Sequence, residues 1–267
     1  MKKHILSILT LLVLTTPAAA QADAHAYSMS LVDSLIYEFA RQEEDQLNEE
    51  NYMARYMDHV DKTYDLLRQQ YLTHTVLGYF RYPGCHDMKP TVDLFLQRIT
   101  IDSLRQQVLD AYGKFYEDYS PLFPGNPAPD FTIIDQKGRQ HKLSSLRGKM
   151  LFIDIWGTWC VPCKEEVPHI QALYDKYKGD KRVMILSIAC DKKFDTWKDY
   201  IMRHQEPWAQ YIVNEESNKL LDDVYHVYGI PRFMLIDKKG NIIDADFLRP
   251  SFGEQFDKKF EEILNQQ

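Results

Sequence analysis

The sequence predicts an α/β layer structure preceded by an all-helical region. Three observations carry that expectation. Before residue 120, apolar side chains recur at spacings of three and four. Between Ser120 and Asp130, "SPLFPGNPAPD" packs four prolines and a glycine into one short stretch. Beyond it, short apolar runs alternate with amphipathic ones, the pattern of strands separated by helices.

The first segment is not part of the fold. "MKKH" supplies positive charge, "ILSILTLLVL" (residues 5–14) is a short apolar core, and "TTPAAAQA" ends in small residues. That is the layout of a secretory signal, with cleavage after Ala20 or Ala22. Ten residues of helix rise about 15 Å, half of a bilayer core of about 30 Å. Residues 1–22 are therefore expected to be a signal peptide and the mature chain to be exported, to the periplasm.

Residues 23–120 are expected to form a helical domain. Leu31, Leu35 and Phe39 recur every four residues; Tyr56, Val60, Tyr64, Leu67 and Tyr71 continue the stripe, and Leu104, Val108, Tyr112, Phe115 and Tyr119 repeat it. Breaks at residues 48–51 and at "YPGCHDMKP" imply three to five helices. The tyrosines suit amphipathic packing better than a ligand box. The proline density after Tyr119 stops the last helix and makes a stiff linker, which places the domain boundary.

Residues 121–267 form the second expected domain. "FTIID" alternates as a strand, and "QKGR" is a turn. "MLFIDIW" and "RVMILSIA" are near-continuous apolar runs, as expected of strands covered on both faces. Helices are expected over residues 163–178, 194–204 and 219–228, and "RFMLID" and "NIIDADF" flank "KKG" as a hairpin before a last helix.

Composition narrows the function classes. The chain has 267 residues, 45% hydrophobic and 27% charged, ordinary for a globular protein. Its net charge is −7 and no basic stripe is present, so the counterion release that drives nucleic-acid binding has no source. Four cysteines are too few for a disulfide-stapled scaffold.

The chemistry lies in "WGTWCVPCKEEVP". Structural zinc wants four ligands, and a single C-x-x-C with His169 six residues on does not supply them, so no metal is expected. A disulfide between Cys160 and Cys163 would close too small a ring to stabilise much. What the spacing does allow is reversible exchange: one thiol attacks a foreign disulfide and its neighbour resolves the mixed disulfide. Cys160 sits where a buried strand gives way to a helix, and free N–H groups at a helix start favour a thiolate. Cys163, one turn inside, is expected to be more buried. This assigns Cys160 as nucleophile and Cys163 as resolving thiol. Cys190 is expected to be an inert buried thiol near the site; Cys85, in a loop, could pair with it, with no distance to decide.

From Gly125 onward the chain resembles the thioredoxin-fold thiol–disulfide oxidoreductases of the exported TlpA/ResA-like family. "GNPAPDF", "LSSLRGK", "FIDIWGTWCVPCKEEVP" and "GIPRFMLIDKKGNII" follow one another in that family's order. The resemblance implies a thioredoxin-like central mixed sheet flanked by helices. It matches Ile230 and Pro231 to the cis-proline loop that pairs with a client chain, and Pro168 to the kink proline of the active-site helix. Trp159, Val161 and Pro162 would border the dithiol and share in client binding. Asp154, in the middle of an apolar run, falls where thioredoxin carries a buried aspartate that exchanges the resolving thiol's proton. Thioredoxin pairs that aspartate with a lysine; alignment puts Ser187 there instead.

The implied function is an exported protein thiol–disulfide oxidoreductase in cell redox homeostasis. It would reduce disulfides in other proteins without a cofactor and be re-reduced by a membrane electron-donor relay. The alternatives are a disulfide oxidase or isomerase, or a partner-binding protein on a thioredoxin scaffold. No partner of the helical domain is legible.

Overall fold

The structure, a computed structural model, describes residues 52–80 and 84–267. The expected signal segment, and Leu31, Leu35 and Phe39, lie outside the described residues. Thr73–Gln267 form one compact unit.

Three helices occupy the described part of the helical region: α1 (Tyr52–Tyr79), α2 (Lys89–Leu96) and α3 (Asp102–Tyr119). Pro90 stands in the first turn of α2, where its missing N–H removes no helix bond. Arg105 of α3 reaches back to the carbonyls of Leu96 and, at 2.7 Å, Ile99, so the two helices are tied at their junction. The aromatic residues pack on one another: Phe115 lies 5.2 Å from Tyr119, 5.5 Å from Phe80 and 5.8 Å from Phe123 between ring centroids.

Seven strands form a mixed sheet in the order β2-β1-β5-β4-β3-β6-β7. They are β1 (Thr132–Asp135), β2 (Gln140–Lys142), β3 (Met150–Trp156), β4 (Val183–Ala189), β5 (Ala209–Val213), β6 (Arg232–Ile236) and β7 (Ile242–Phe247). The central pairs β3–β4 and β4–β5 are parallel, and the outer pairs are antiparallel. Every residue of β3 is buried, which is why its sequence shows no polar alternation. The helices that cover the sheet are α4 (Val161–Tyr177), α5 (Phe194–His204), α6 (Glu215–Asp223) and α7 (Glu254–Leu264).

Successive strand residues face opposite layers. Phe152 joins Phe233, Phe256 and Phe260 in ring contacts of 5.4–5.8 Å, with Ile170 and Leu173 of α4 in the same cluster. Each such buried ring contributes about 1.5–3 kcal/mol of transfer free energy. On the other face Ile153, Ile155, Leu186 and Ile188 pack with Tyr225, Leu122 and Cys85. Asp154, two residues after Phe152, belongs to the α4 face.

Two expectations shift. The helix expected over residues 219–228 forms over Glu215–Asp223, because Asn214 caps it by accepting from the Ser217 amide at 2.8 Å. Tyr225 and Val227 instead enter the core from the turn that follows, with Tyr225 Oη donating to the Pro129 carbonyl at 2.6 Å. The proline-rich stretch expected as a linker is strapped to the β6–β7 hairpin. Gly125 donates to the Ile242 carbonyl, Ile242 to that of Asn126, and Ala128 to that of Gly240, at 2.8–2.9 Å.

Candidate active site

β3 delivers the chain into a three-residue turn, Gly157 to Trp159, and α4 begins at Val161. Asp191, just past the end of β4, holds this turn: the Thr158 amide donates to its Oδ2 at 2.9 Å and the Thr158 hydroxyl to its Oδ1. Gly157 lets the Trp159 indole lie across the backbone; a Cβ there would fall 2.9 Å from Trp159 Cε2 and Nε1.

Cys160 is the N-cap of α4, and its sulfur accepts from the Cys163 amide at 3.1 Å. Sulfur thus takes the place of the usual Ser, Thr or Asp oxygen, and the helix's free N–H groups point at it. Cys160 and Cys163 are joined as a disulfide, with Cα atoms 5.3 Å apart. The expected contrast in burial is absent, since Cys160 is 4% exposed and Cys163 3%. What separates them is position, for Cys160 Sγ lies 3.7 Å from the Ile230 carbonyl oxygen while Cys163 is one turn into the helix.

The Ile230–Pro231 bond is cis. Trp159, Val161 and Pro162 are exposed around the disulfide, Ile230 is half-buried and Pro231 buried. Beside them opens a groove of about 780 Å³, lined among others by Trp159, Cys190, Asp191, Tyr228 and Ile230. Cys190 therefore lies near the site, as expected, but is half-buried where a buried thiol was expected. Cys85 is buried, and neither it nor Cys190 forms a disulfide.

Asp154 pairs in register with Ser187 of β4, and Ser187 Oγ donates to Asp154 Oδ2 at 2.8 Å. Burial pushes the Asp154 carboxyl up to about 7; Ser187's hydrogen bond opposes the rise and the nearby Glu166 charge adds to it.

Glu166 is a residue that sequence reasoning missed. It is buried on α4, and its two carboxylate oxygens accept from the Ser251 amide at 3.0 Å and the Ser251 hydroxyl at 2.6 Å. A signal for it existed: Cys163, Glu166, Ile170 and Leu173 are the inward stripe of α4, so the glutamate occupies a core position. Pro168 lies inside the same helix. Among the described residues no cluster of histidine, cysteine or acidic side chains is arranged to hold a metal ion.

Comparison with known proteins agrees with this geometry. A thioredoxin-like family model matches residues 148–242. The thiol-disulfide oxidoreductase ResA of Bacillus cereus is 31% identical over 153 residues, covering 57% of this chain and 83% of that protein. The ResA protein of Geobacillus kaustophilus is 34% identical over 131 residues, 49% of this chain and 73% of that one. A crystal structure of a protein from Bacteroides vulgatus assigned as a thiol-disulfide oxidoreductase shares 36% identity. It superposes with a TM-score of 0.50 over 54% of this chain and 98% of its own. With its dithiol at a strand-to-helix turn and its cis-proline loop opposite, the chain belongs to the thioredoxin-like thiol–disulfide oxidoreductases related to ResA.

Proposed function

We propose that this enzyme is exported and works as a reductase of disulfides in other proteins, with Cys160 as nucleophile and Cys163 as resolving thiol. The observation that carries the assignment is the placement of Cys160. Its sulfur caps α4 and lies 3.7 Å from the carbonyl of Ile230, a residue that lines the open groove. A client chain paired with the Ile230 backbone would bring its own sulfur to Cys160. Trp159, Val161, Pro162, Ile230 and Pro231 form the surface it meets.

The Cys160 thiolate attacks one sulfur of the client disulfide, and the other client sulfur leaves as a thiolate. Cys163 then gives its proton to Asp154 and attacks Cys160. The Cys160–Cys163 bond forms, the bond to the client breaks, and the second client sulfur leaves to be protonated. The client gains two electrons and the enzyme dithiol is oxidised. A carboxyl with a pKa of about 7 can take and return such a proton near neutrality.

Export rests on the charged, apolar and small-residue succession of residues 1–22. An exported reductase must be supplied with electrons, so a membrane electron-donor relay is the proposed partner. We also propose that the residues from 121 are a catalytic module able to fold without the helical residues up to 120, although those from Thr73 on pack with it in one compact unit.

The test is a trapping experiment. Cys160→Ser should abolish insulin-type disulfide reduction, and Cys163→Ser should accumulate mixed disulfides with client proteins. Faster alkylation of Cys163 than of Cys160 in the reduced enzyme would reverse the roles. The reduction potential decides direction: a value near about −270 mV supports a reductase, and one near about −120 mV an oxidant.

A further inference from the structure

Asp154 stands at the end of a chain of two hydrogen bonds. Trp208, just before β5, donates its indole N–H to Ser187 Oγ at 2.8 Å, and Ser187 Oγ donates in turn to Asp154 Oδ2 at 2.8 Å. All three side chains are buried. An indole nitrogen can only donate, so Ser187 must accept at that end. The serine has one proton of its own, and among the described residues Asp154 Oδ2 is the acceptor it reaches. Turning that proton elsewhere would leave a buried donor unsatisfied, which is costly. With Asp154 charged, Oδ2 is therefore occupied as the acceptor of the Ser187 hydroxyl. Oδ1, which has no hydrogen-bond partner among the described residues, is the oxygen open to an incoming proton.

The Trp208 contact is not something every tryptophan of this core makes. Trp156 and Trp197 are buried too, and their indole nitrogens find no partner among the described residues. The fold tolerates an orphaned indole N–H at two positions, yet at the third the N–H is directed at the hydroxyl that holds Asp154.

We propose that Trp208 and Ser187 are positioning residues for the thiol–disulfide exchange, fixing the Asp154 carboxyl so that Oδ1 is the oxygen that takes and returns the Cys163 proton. The inference rests on the reading of Asp154 as the proton acceptor. In the resolving step the Cys163 S–H proton passes to Oδ1. The Cys163 sulfur bonds to Cys160, the client sulfur departs with the electron pair of the broken bond, and the proton returns from Oδ1 as that thiolate is protonated. Ser187 keeps its own proton throughout. The indole polarises the Ser187 O–H, strengthening its bond to the carboxylate.

Other groups act on the same carboxyl. Glu166 of α4 raises its pKa, and the Cys190 thiol at the end of β4 also interacts with it. The neighbours in register along the sheet, Phe233 of β6 and Gln210 beyond Ser187, carry no titratable group.

The experiment follows the Asp154 carboxyl by side-chain carbon NMR in the oxidised full-length protein, its signal assigned by loss in Asp154→Asn. The wild-type midpoint is expected at about 7. Ser187→Ala should raise it by about one to two pH units, the worth of a hydrogen bond to a charged group. Trp208→Phe should raise it in the same direction by less, and the pH profile of mixed-disulfide resolution should move with each midpoint. A midpoint that stays put in Trp208→Phe overturns the proposal, as does a resolution profile that ignores the shifts. Unchanged resolution in Asp154→Asn would instead sink the proton-acceptor reading itself. Should Trp208→Phe fold poorly, the wild-type indole N–H proton signal of Trp208 gives an independent answer. It should titrate with the Asp154 midpoint and lose that dependence in Asp154→Asn, and a pH-insensitive signal refutes the chain of bonds.

Discussion

His226 stacks face to face on Tyr119, with ring centroids 4.1 Å apart and planes 25° from parallel. Its Nε2 is 3.0 Å from the Asp118 carbonyl, one of the end carbonyls of α3, and its Nδ1 is 2.8 Å from Tyr228 Oη. Arg232 donates to the His226 carbonyl at 3.1 Å. The end of the helical segment is thereby fastened to the loop that carries Ile230 and Pro231 toward Cys160.

Tyr119→Ala should therefore weaken turnover of protein clients more than of a small disulfide, because the loop that pairs with a client chain loses its support. A chain shortened to begin at Phe123 keeps all seven strands and the dithiol. It should fold and turn over a small disulfide. It also loses Leu122, fully buried in the main core, and a buried leucine is worth about 2–5 kcal/mol. Urea midpoints of the two chains check the cost, and an insoluble or inert short chain would make the helical segment integral to the catalytic fold.

The dithiol and Asp154 were legible because each is a residue type misplaced for plain packing: paired thiols after a buried strand, a carboxyl in an apolar run. The cis-proline was legible only through the family resemblance of the segment around Ile230 and Pro231. Where chemistry and packing agree, the signal disappears. β5 went unread because "AQYIV" is five residues behind a proline and a tryptophan, with no clear alternation. β2 is three residues of polar edge, held only by its partner β1. Glu166 falls on the inward stripe of α4, but the partner that satisfies its buried carboxylate, Ser251, is 85 residues away. Trp208 and its partner Ser187 are 21 residues apart, a separation that no local pattern bridges.

The two remaining thiols should be quiet. Burial pushes Cys85 up to about 11; burial and the charges of Asp222, Asp191 and Asp154 push Cys190 up to about 12. At about pH 8 their thiolate fractions are roughly 10⁻³ and 10⁻⁴. Iodoacetamide on the reduced protein should label Cys160 first and leave Cys85 and Cys190 unmodified until urea is added, as read by mass spectrometry. Labelling of Cys190 at a rate comparable to Cys160 would show that the groove exposes it as a working thiol.

Glu166→Gln should lower the Asp154 midpoint below about 7, because the Glu166 charge is one of the causes that raise it. The expected fall is roughly 0.5–1 pH unit. Glutamine keeps an oxygen for Ser251, so packing is largely preserved. The same carboxyl NMR titration reads the shift, and an unmoved midpoint would mean that solvent screens the two groups from one another.

Asp154 should also govern how stability depends on pH. Its carboxyl titrates at about 7 in the folded protein against an ordinary value of 3.8 in the unfolded chain. Between those limits the folded state holds a proton that the unfolded state has released. Stability contributed by this group is thus fully present below the unfolded value and is lost as pH rises toward 7, after which the loss is constant. The full extent is about 4 kcal/mol, the free energy of keeping a buried carboxyl charged. Asp154→Asn stays neutral throughout and does not incur that loss. In urea unfolding of the oxidised proteins, the variant and the wild type should differ little near about pH 4. The variant should become progressively more stable, relative to the wild type, up to about pH 7. A gap that is flat across this range would mean that Asp154 keeps an ordinary pKa in the fold, leaving it unsuited to hold the Cys163 proton near neutrality.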